Sequence, residues 1–298
     1  MLQKRIFISG GKKSLKSWKM PYDRNVEAFD ANGIDSVFKF PFLPDIRVDH
    51  CMVVNNDRQL MVCGGLVIPH RFKSDKECLI LDGTWKFHSY LTKNRIGAIG
   101  ITMPNGIYIF GGRHSPMTSD FLAKGSCTWV VGPEIPTDSS VDTEFKSLPA
   151  NCKYDVYGEA VSSEELILIT TFILKGELTT DRVFSVRKFN VITQEWTYRE
   201  EKILLGYSCK SVLNSVCRVC PKSTFCTIID KVIPGFRAKK NHQVGVIRIK
   251  EKQKVLAFRD EHCIKEWDDA KKDWKPTHEP KYSRTSIGFC SLLNTKLE

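Results

Sequence analysis

Ile107-Tyr108-Ile109-Phe110-Gly111-Gly112 (IYIFGG) decides how this chain is read. Four β-branched or aromatic residues suit a buried strand. Two successive glycines suit its end, where the backbone must turn with free φ and pass close to another segment. The same element occurs twice upstream: Ile6-Phe7-Ile8 leads to Gly10-Gly11, and Leu60-Met61-Val62-Cys63 leads to Gly64-Gly65. The first glycines of these pairs are 54 and 47 residues apart, a spacing that speaks for structural repeats.

A second element recurs between the glycine pairs. Phe189-Asn190 precedes Trp196 by seven residues counted from the phenylalanine, and Trp267-Asp268 precedes Trp274 by the same seven. An aromatic residue, an Asp or Asn to start a turn, a polar loop and a returning aromatic strand predict a hairpin. Phe121 and Trp129 are eight apart, Leu81-Asp82-Gly83-Thr84-Trp85 is a shortened version, and Phe29-Asp30 opens a first copy in which Phe38 takes the tryptophan place. A third element opens units: Arg47-Val48-Asp49-His50 after Leu43-Pro44, Arg95-Ile96-Gly97-Ala98-Ile99-Gly100, and Arg284-Thr285-Ser286-Ile287-Gly288, with Glu134-Ile135-Pro136 closing the Trp129 unit. These small and apolar runs fit a crowded inner strand.

Together the glycine pairs, aromatic hairpins and arginine-led strands resemble Kelch repeats, most closely from Arg5 to Pro136. Further on, Leu166-Ile167-Leu168-Ile169 runs into Thr170-Thr171, and Val255-Leu256-Ala257-Phe258 into Arg259-Asp260, where the pattern has glycines. The resemblance implies an all-β fold, a Kelch-type β-propeller in one domain, 1–298. Six four-stranded blades are expected: 285–298 with 1–45, then 46–92, 93–148, 149–203, a degenerate 204–241, and 242–284. Five blades is the alternative, because the 78 residues from Trp196 to Trp274 are long for one blade and short for two. The chain starts on the second strand of a unit and ends on a first strand, Thr285 to Leu293, so the C-terminal strand is expected to pair with the N-terminal blade and leave no open edge. No dimerisation or ligase-recruiting segment is expected ahead of the propeller, unlike in Kelch-like ubiquitin-ligase adaptors.

Composition narrows the function classes. The chain has 298 residues, 42% hydrophobic and 27% charged, which is ordinary for a globular protein. No apolar run approaches the length of a membrane span, and Met1 to Gly10 lacks a secretory h-region. Eleven cysteines, an odd number, several of them inside apolar runs (Cys51, Cys63, Cys226, Cys290), together with no Asn-x-Ser/Thr signal, predict a reducing, cytoplasmic setting and a monomer without membrane contact. The net charge of +11 favours acidic partners. Its basic residues are dispersed, as in Lys12, Lys13, Lys16 and Lys19, or Lys271, Lys272 and Lys275, so nucleic acid is the weaker candidate.

The sharpest site candidates are Arg47, Arg95 and Arg284, at one place in three units. In Kelch-like adaptors the resemblance puts such arginines at the channel mouth, gripping acidic peptides, and the planar guanidinium suits carboxylates. The competing reading is that each ties adjacent blades or caps a neighbouring carbonyl. His50, three residues after Arg47, reads as a packed histidine. Cys217-Arg-Val-Cys220 lies between Cys209 and Cys226, and the set is too incomplete for structural zinc, so no metal is expected. Asp82-Gly83-Thr84-Trp85 is one residue short of a sialidase Asp-box. Galactose oxidase is the enzymatic precedent among Kelch propellers, with copper on tyrosine, histidine and cysteine ligands, yet no such ligand motif can be placed here. Catalytic residues and cofactors are therefore expected to be absent. The function expected is binding of a partner protein or acidic peptide, as a scaffold or substrate-recognition module. An enzyme on a propeller scaffold and a nucleic-acid-associated propeller are the alternatives.

Overall fold

The structure is a computed structural model that describes residues 5–13, 22–30, 33–34, 40–68, 76–113, 115–136, 153–175, 180–204, 245–249, 254–259, 263–268, 273–278, 284–285 and 288–292. The described chain is all-β, with strands numbered in chain order, and every strand pair is antiparallel. The first sheet joins both ends of the chain: β24 (Gly288–Leu292), β1 (Arg5–Ser9), β3 (Val26–Asp30) and β4 (Gly33–Ile34). The expected pairing of the C-terminal strand is present, with Phe7 opposite Cys290.

Each later sheet is a meander in chain order. Sheet 2 holds β6 (Cys51–Val54), β7 (Leu60–Cys63), β9 (Glu77–Asp82) and β10 (Thr84–Tyr90). Sheet 3 holds β11 (Ile99–Met103), β12 (Gly106–Phe110), β13 (Ser119–Ala123) and β14 (Val130–Val131). Sheet 4 holds β15 (Lys153–Ala160), β16 (Glu165–Lys175), β17 (Thr180–Asn190) and β18 (Glu195–Leu204). Sheet 5 holds β19 (Gly245–Ile249), β20 (Lys254–Arg259), β21 (Cys263–Asp268) and β22 (Asp273–His278). Two small ribbons complete the set: β2 (Lys12–Lys13) with β23 (Arg284–Thr285), and β5 (Ile46–Val48) with β8 (Leu66–Ile68). The degenerate unit expected at 204–241 lies outside the described residues, apart from its first residue in β18.

Sheets 1 to 4 pack face to face, and the central strands β7 and β12 are buried on both sides and read as continuous apolar runs. In β12, Ile107 and Ile109 pack with Met61, Cys63 and Cys78 of sheet 2, while Tyr108 and Phe110 pack with Leu166, Leu168 and Phe189 of sheet 4. In β7, Leu60 and Val62 face the other way, onto Phe7, Val26 and Ala28 of sheet 1. The first strands stand side by side: β24 beside β6, β6 beside β11, β11 beside β15. Gly100 makes one of these approaches possible, since a Cβ there would sit 2.1 Å from Val53 Cγ1.

The aromatic hairpins form as their spacing requires. Phe189 pairs with Trp196, Trp267 with Trp274, and Leu81 with Trp85. In sheet 3 the partner of Phe121 is Val130, one residue past Trp129. The indole N–H of three tryptophans then reaches back to the preceding unit: Trp85 donates to the Pro41 carbonyl (3.0 Å), Trp129 to Ser89 Oγ (2.9 Å) and Trp196 to the Glu134 carbonyl (2.8 Å). One donor per tryptophan thus ties successive units on their outer side.

Candidate functional site

The glycine pairs build the junctions where the candidate arginines lie. Gly64 and Gly65 have φ of 66° and 92°, Gly111 and Gly112 of 73° and 107°, values open to glycine at little cost. There is no room for side chains either, because a Cβ on Gly65 would lie 2.7 Å from His50 Cβ and 2.9 Å from the Val48 carbonyl.

Arg47 and Arg95 each serve two sheets at once. The Arg47 carbonyl accepts from the Gly11 amide of the preceding unit (3.0 Å), while its Nη1 donates to the Gly64 carbonyl of its own sheet (3.0 Å) and its Nη2 to Glu77 Oε2 (2.9 Å). Likewise the Arg95 carbonyl accepts from Gly65 (2.8 Å), and Arg95 Nη1 donates to the Gly111 and Thr118 carbonyls. Its Nε pairs with Asp120 Oδ2 at 2.5 Å, and Asp120 also accepts from the Thr92 hydroxyl. Arg95 and Asp120 are 1% and 0% exposed, and Arg47 is 0% exposed. The guanidinium forks of Arg47 and Arg95, expected either to meet a partner or to tie adjacent units, face inward here and are taken up by the scaffold, as buried charges require.

Arg284 occupies the matching backbone position. It pairs with Lys13, two residues past Gly11, just as Arg47 pairs with Val67, two residues past Gly65. The side chain of Arg284 lies outside what is described.

Sheet 4 shows what sequence reasoning missed. Arg187, on β17, is 1% exposed, and its Nη1 donates to Thr170 Oγ1 (2.9 Å) and to the Ser185 hydroxyl while Nε donates to the Pro136 carbonyl (3.1 Å). A buried guanidinium thus sits beside Thr170, where sheets 1, 2 and 3 have glycine. The only signal in the sequence is the charged pair Arg187-Lys188 inside the otherwise mostly apolar stretch 183–189 of β17.

An exposed arginine stands at the junction of sheets 2 and 3. Arg113 follows Gly112 directly, is 63% exposed, and places Nη2 2.9 Å from Asp49 Oδ2. Asp49 itself has φ of 52°, and the equivalent Gly97 has φ of 70°, so this turn position needs the left-handed region in both units.

His50 is a buried structural group, as its position suggested. Its Nε2 lies 2.7 Å from Ser9 Oγ across the junction of sheets 1 and 2. Burial first, and the Arg47 charge second, lower its pKa to about 3, which keeps the ring neutral. Cys51, Cys63 and Cys78 lie opposite one another across β6, β7 and β9, all buried and free, and burial pushes the Cys51 and Cys63 thiols well up. They behave as small core hydrophobes. Among the described residues no cluster of three or more His, Cys, Asp or Glu could hold a metal ion. Cys217 and Cys220, with Cys209 and Cys226, lie outside the described residues.

These features define an all-β protein of several four-stranded antiparallel sheets. Among the described residues no helix is long and apolar enough to cross a membrane. No protein-family model matches the chain, and no curated protein matches it. Among solved structures, a novel fungal alcohol oxidase with catalytic diversity among the AA5 family, in complex with copper, aligns over 94% of this chain at 8% identity and a TM-score of 0.40. The chain spans 64% of that structure's length. A similarity of this size assigns neither a fold nor an activity.

Proposed function

We propose that the chain is a Kelch-type β-propeller that acts as a protein-binding module, taking an acidic segment of a partner at the end of the molecule where the glycine pairs lie. The observation that carries this reading is the repeated junction: first strands side by side, each tied by a buried arginine inside and a tryptophan N–H outside. Such a frame holds its connecting loops rigidly, and loops on a rigid frame are where recognition residues sit. Residues 204–241 then supply a fifth of six blades between β18 and β19; five blades follow if they do not.

The recognition residue of this reading is Arg113 in place of Arg47 and Arg95. It is the exposed guanidinium beside Gly112, and a chain of net charge +11 steers acidic partners toward it. Arg284 shares the backbone register of Arg47, so its proposed role is the scaffold one, on the Gly10 carbonyl. The test is affinity purification on the folded protein followed by mass spectrometry, repeated with Arg113→Glu. A specific protein captured by the parent and lost with Arg113→Glu is the expected result. Capture unaffected by Arg113→Glu overturns the site. Retention of DNA or RNA with a steep salt dependence, and no specific protein, overturns the function.

A further inference from the structure

A cleft of about 280 Å³ opens between sheets 2 and 3, at the end opposite the glycine pairs. Its floor is apolar: Met61, Ile80, Ile107 and Leu122. Its lips are the turn after β6, which carries Asp57, and the turn after β13, which carries Lys124. His88 of β10 also lines it.

The neighbours of His88 permit an arrangement that suits the cleft. Trp129 Nε1 can only donate, and it donates to Ser89 Oγ (2.9 Å). Ser89 Oγ lies 2.6 Å from His88 Nδ1 and has one proton left to give. That proton can go to Nδ1, and the site inferred below takes this arrangement, with the ring's own proton on Nε2. Burial lowers the His88 pKa, which agrees with a neutral ring. In that arrangement Nε2–H is left as the ring's donor. No ion pair takes up Lys124 or Asp57 among the described residues.

We infer that this cleft binds a small carboxylic acid with an apolar body. The body covers the four-residue floor, the carboxylate accepts from His88 Nε2–H, and Lys124 supplies positive charge at the mouth. Asp57 on the facing lip repels the carboxylate and so fixes which way the ligand lies. The volume is at the lower end of ligand sites, about 300 Å³ and upward, so the occupant is a ring or short chain with one acid group. This inference is independent of the partner site proposed above, which lies at the other end of the sheets.

The test is a titration of the full chain with phenylacetate, followed by amide chemical shifts, with phenethylamine as the probe of opposite charge. Phenylacetate is expected to saturate at millimolar concentration and shift residues of the two lips, and phenethylamine to shift none. His88→Phe keeps the size and removes the donor, and it should weaken binding about tenfold, the loss of one hydrogen bond to a charged group. Lys124→Gln, at an exposed turn, should weaken it by about threefold. Absence of saturable shifts, equal binding of phenethylamine, or equal affinity of His88→Phe each overturns the proposal. If His88→Phe does not fold, the imidazole nitrogen spectrum of the parent protein decides: the Nε2–H tautomer at neutral pH supports the site, and the Nδ1–H tautomer or a cation overturns it.

Discussion

Sheets 3 and 4 solve one problem in two ways. In sheet 3 the second strand stops at Gly111-Gly112, the chain turns, and the next guanidinium to enter comes from Arg95, ahead of the sheet's first strand. In sheet 4, Thr170 and Thr171 have no access to that turn at low cost, so β16 continues and pairs with β17 over eleven residues, from Glu165 opposite Asn190 to Lys175 opposite Thr180. The guanidinium there comes from Arg187 on the third strand and reaches back to Pro136. The frame thus keeps the buried cation and changes the strand that delivers it. The partners differ too: Arg95 faces the buried carboxylate of Asp120, whereas Arg187 donates to two hydroxyls and a carbonyl.

The largest effect expected from this architecture is an acid response confined to one junction. His50 ties sheets 1 and 2, while Ala98 stands at its place between sheets 2 and 3. With a folded pKa of about 3 against an ordinary value near ~6.5, the unfolded chain takes up the proton first as pH falls. The unfolded state therefore binds more protons between these limits, so stability is intact above ~6.5 and declines toward pH 3, by on the order of 4 kcal/mol in all. Urea denaturation across this range should show that slope in the parent and lose it in His50→Gln. A parallel slope in both proteins would mean that other groups carry the acid response.

The next prediction tests the two arginines against each other. Arg95→Met leaves Asp120 as an uncompensated buried charge and should cost about 3–5 kcal/mol in denaturant unfolding. Arg187→Met takes the donor from the Thr170 and Ser185 hydroxyls and the Pro136 carbonyl and should cost about 1–3 kcal/mol. Arg95→Met combined with Asp120→Leu should recover much of the first loss, since an apolar pair replaces an ion pair. Equal losses for both single variants would erase the difference drawn between sheets 3 and 4.

A smaller effect separates glycines needed for space from those needed for φ. A methyl on Gly100 would lie 2.1 Å from Val53 Cγ1 and 2.6 Å from Cys51 Sγ, at ordinary strand geometry. Gly100→Ala should therefore cost about 1–3 kcal/mol by overpacking, and Val53→Ala in the same chain should return part of it. Gly97 has open space around its Cβ position and a φ of 70°, so Gly97→Ala strains only the backbone, and Val53→Ala should not rescue it.

The fold was legible where local chemistry repeats. Gly-Gly at the end of an apolar strand needs a positive φ whatever surrounds it, and an aromatic seven residues from a tryptophan pairs across a hairpin. Direction of side chains was not legible. Arg47 and Arg95 sit at one place in each unit, which the spacing revealed, but whether a guanidinium points to a partner or to a glycine carbonyl depends on Glu77, Thr118 and Asp120, residues 23 to 30 positions away. Arg187 was invisible for the same reason, because its role exists only once Pro136 and Thr170 are brought beside it. The His88 cleft draws on two sheets and on a serine whose importance comes from its two neighbours, Trp129 and His88.

The smallest effect on stability should fall on the residue with the largest effect on binding. Arg113 and Arg95 meet at one junction, where the Arg113 amide donates to the Ile96 carbonyl (2.9 Å), yet their side chains live in different media. The Arg113–Asp49 pair is open to water on the arginine side, so removing it with Arg113→Ala should change unfolding by only about 0–1 kcal/mol. Its amide bond survives the substitution, which leaves the loop in place. Partner affinity should respond differently, because a carboxylate that displaces water from Arg113 in a complex forms a desolvated pair, and losing one side of such a pair costs about 2–5 kcal/mol of binding. Arg113→Lys keeps the charge and loses the planar fork, so it should fall between the parent and Arg113→Ala. Melting curves and partner titrations on the three proteins together make the test. If Arg113→Ala melts like the parent and binds like the parent, the exposed arginine is an ordinary surface residue and recognition lies elsewhere on the sheets. If it melts as low as Arg95→Met, the distinction between a buried scaffold arginine and an exposed recognition arginine fails at this junction.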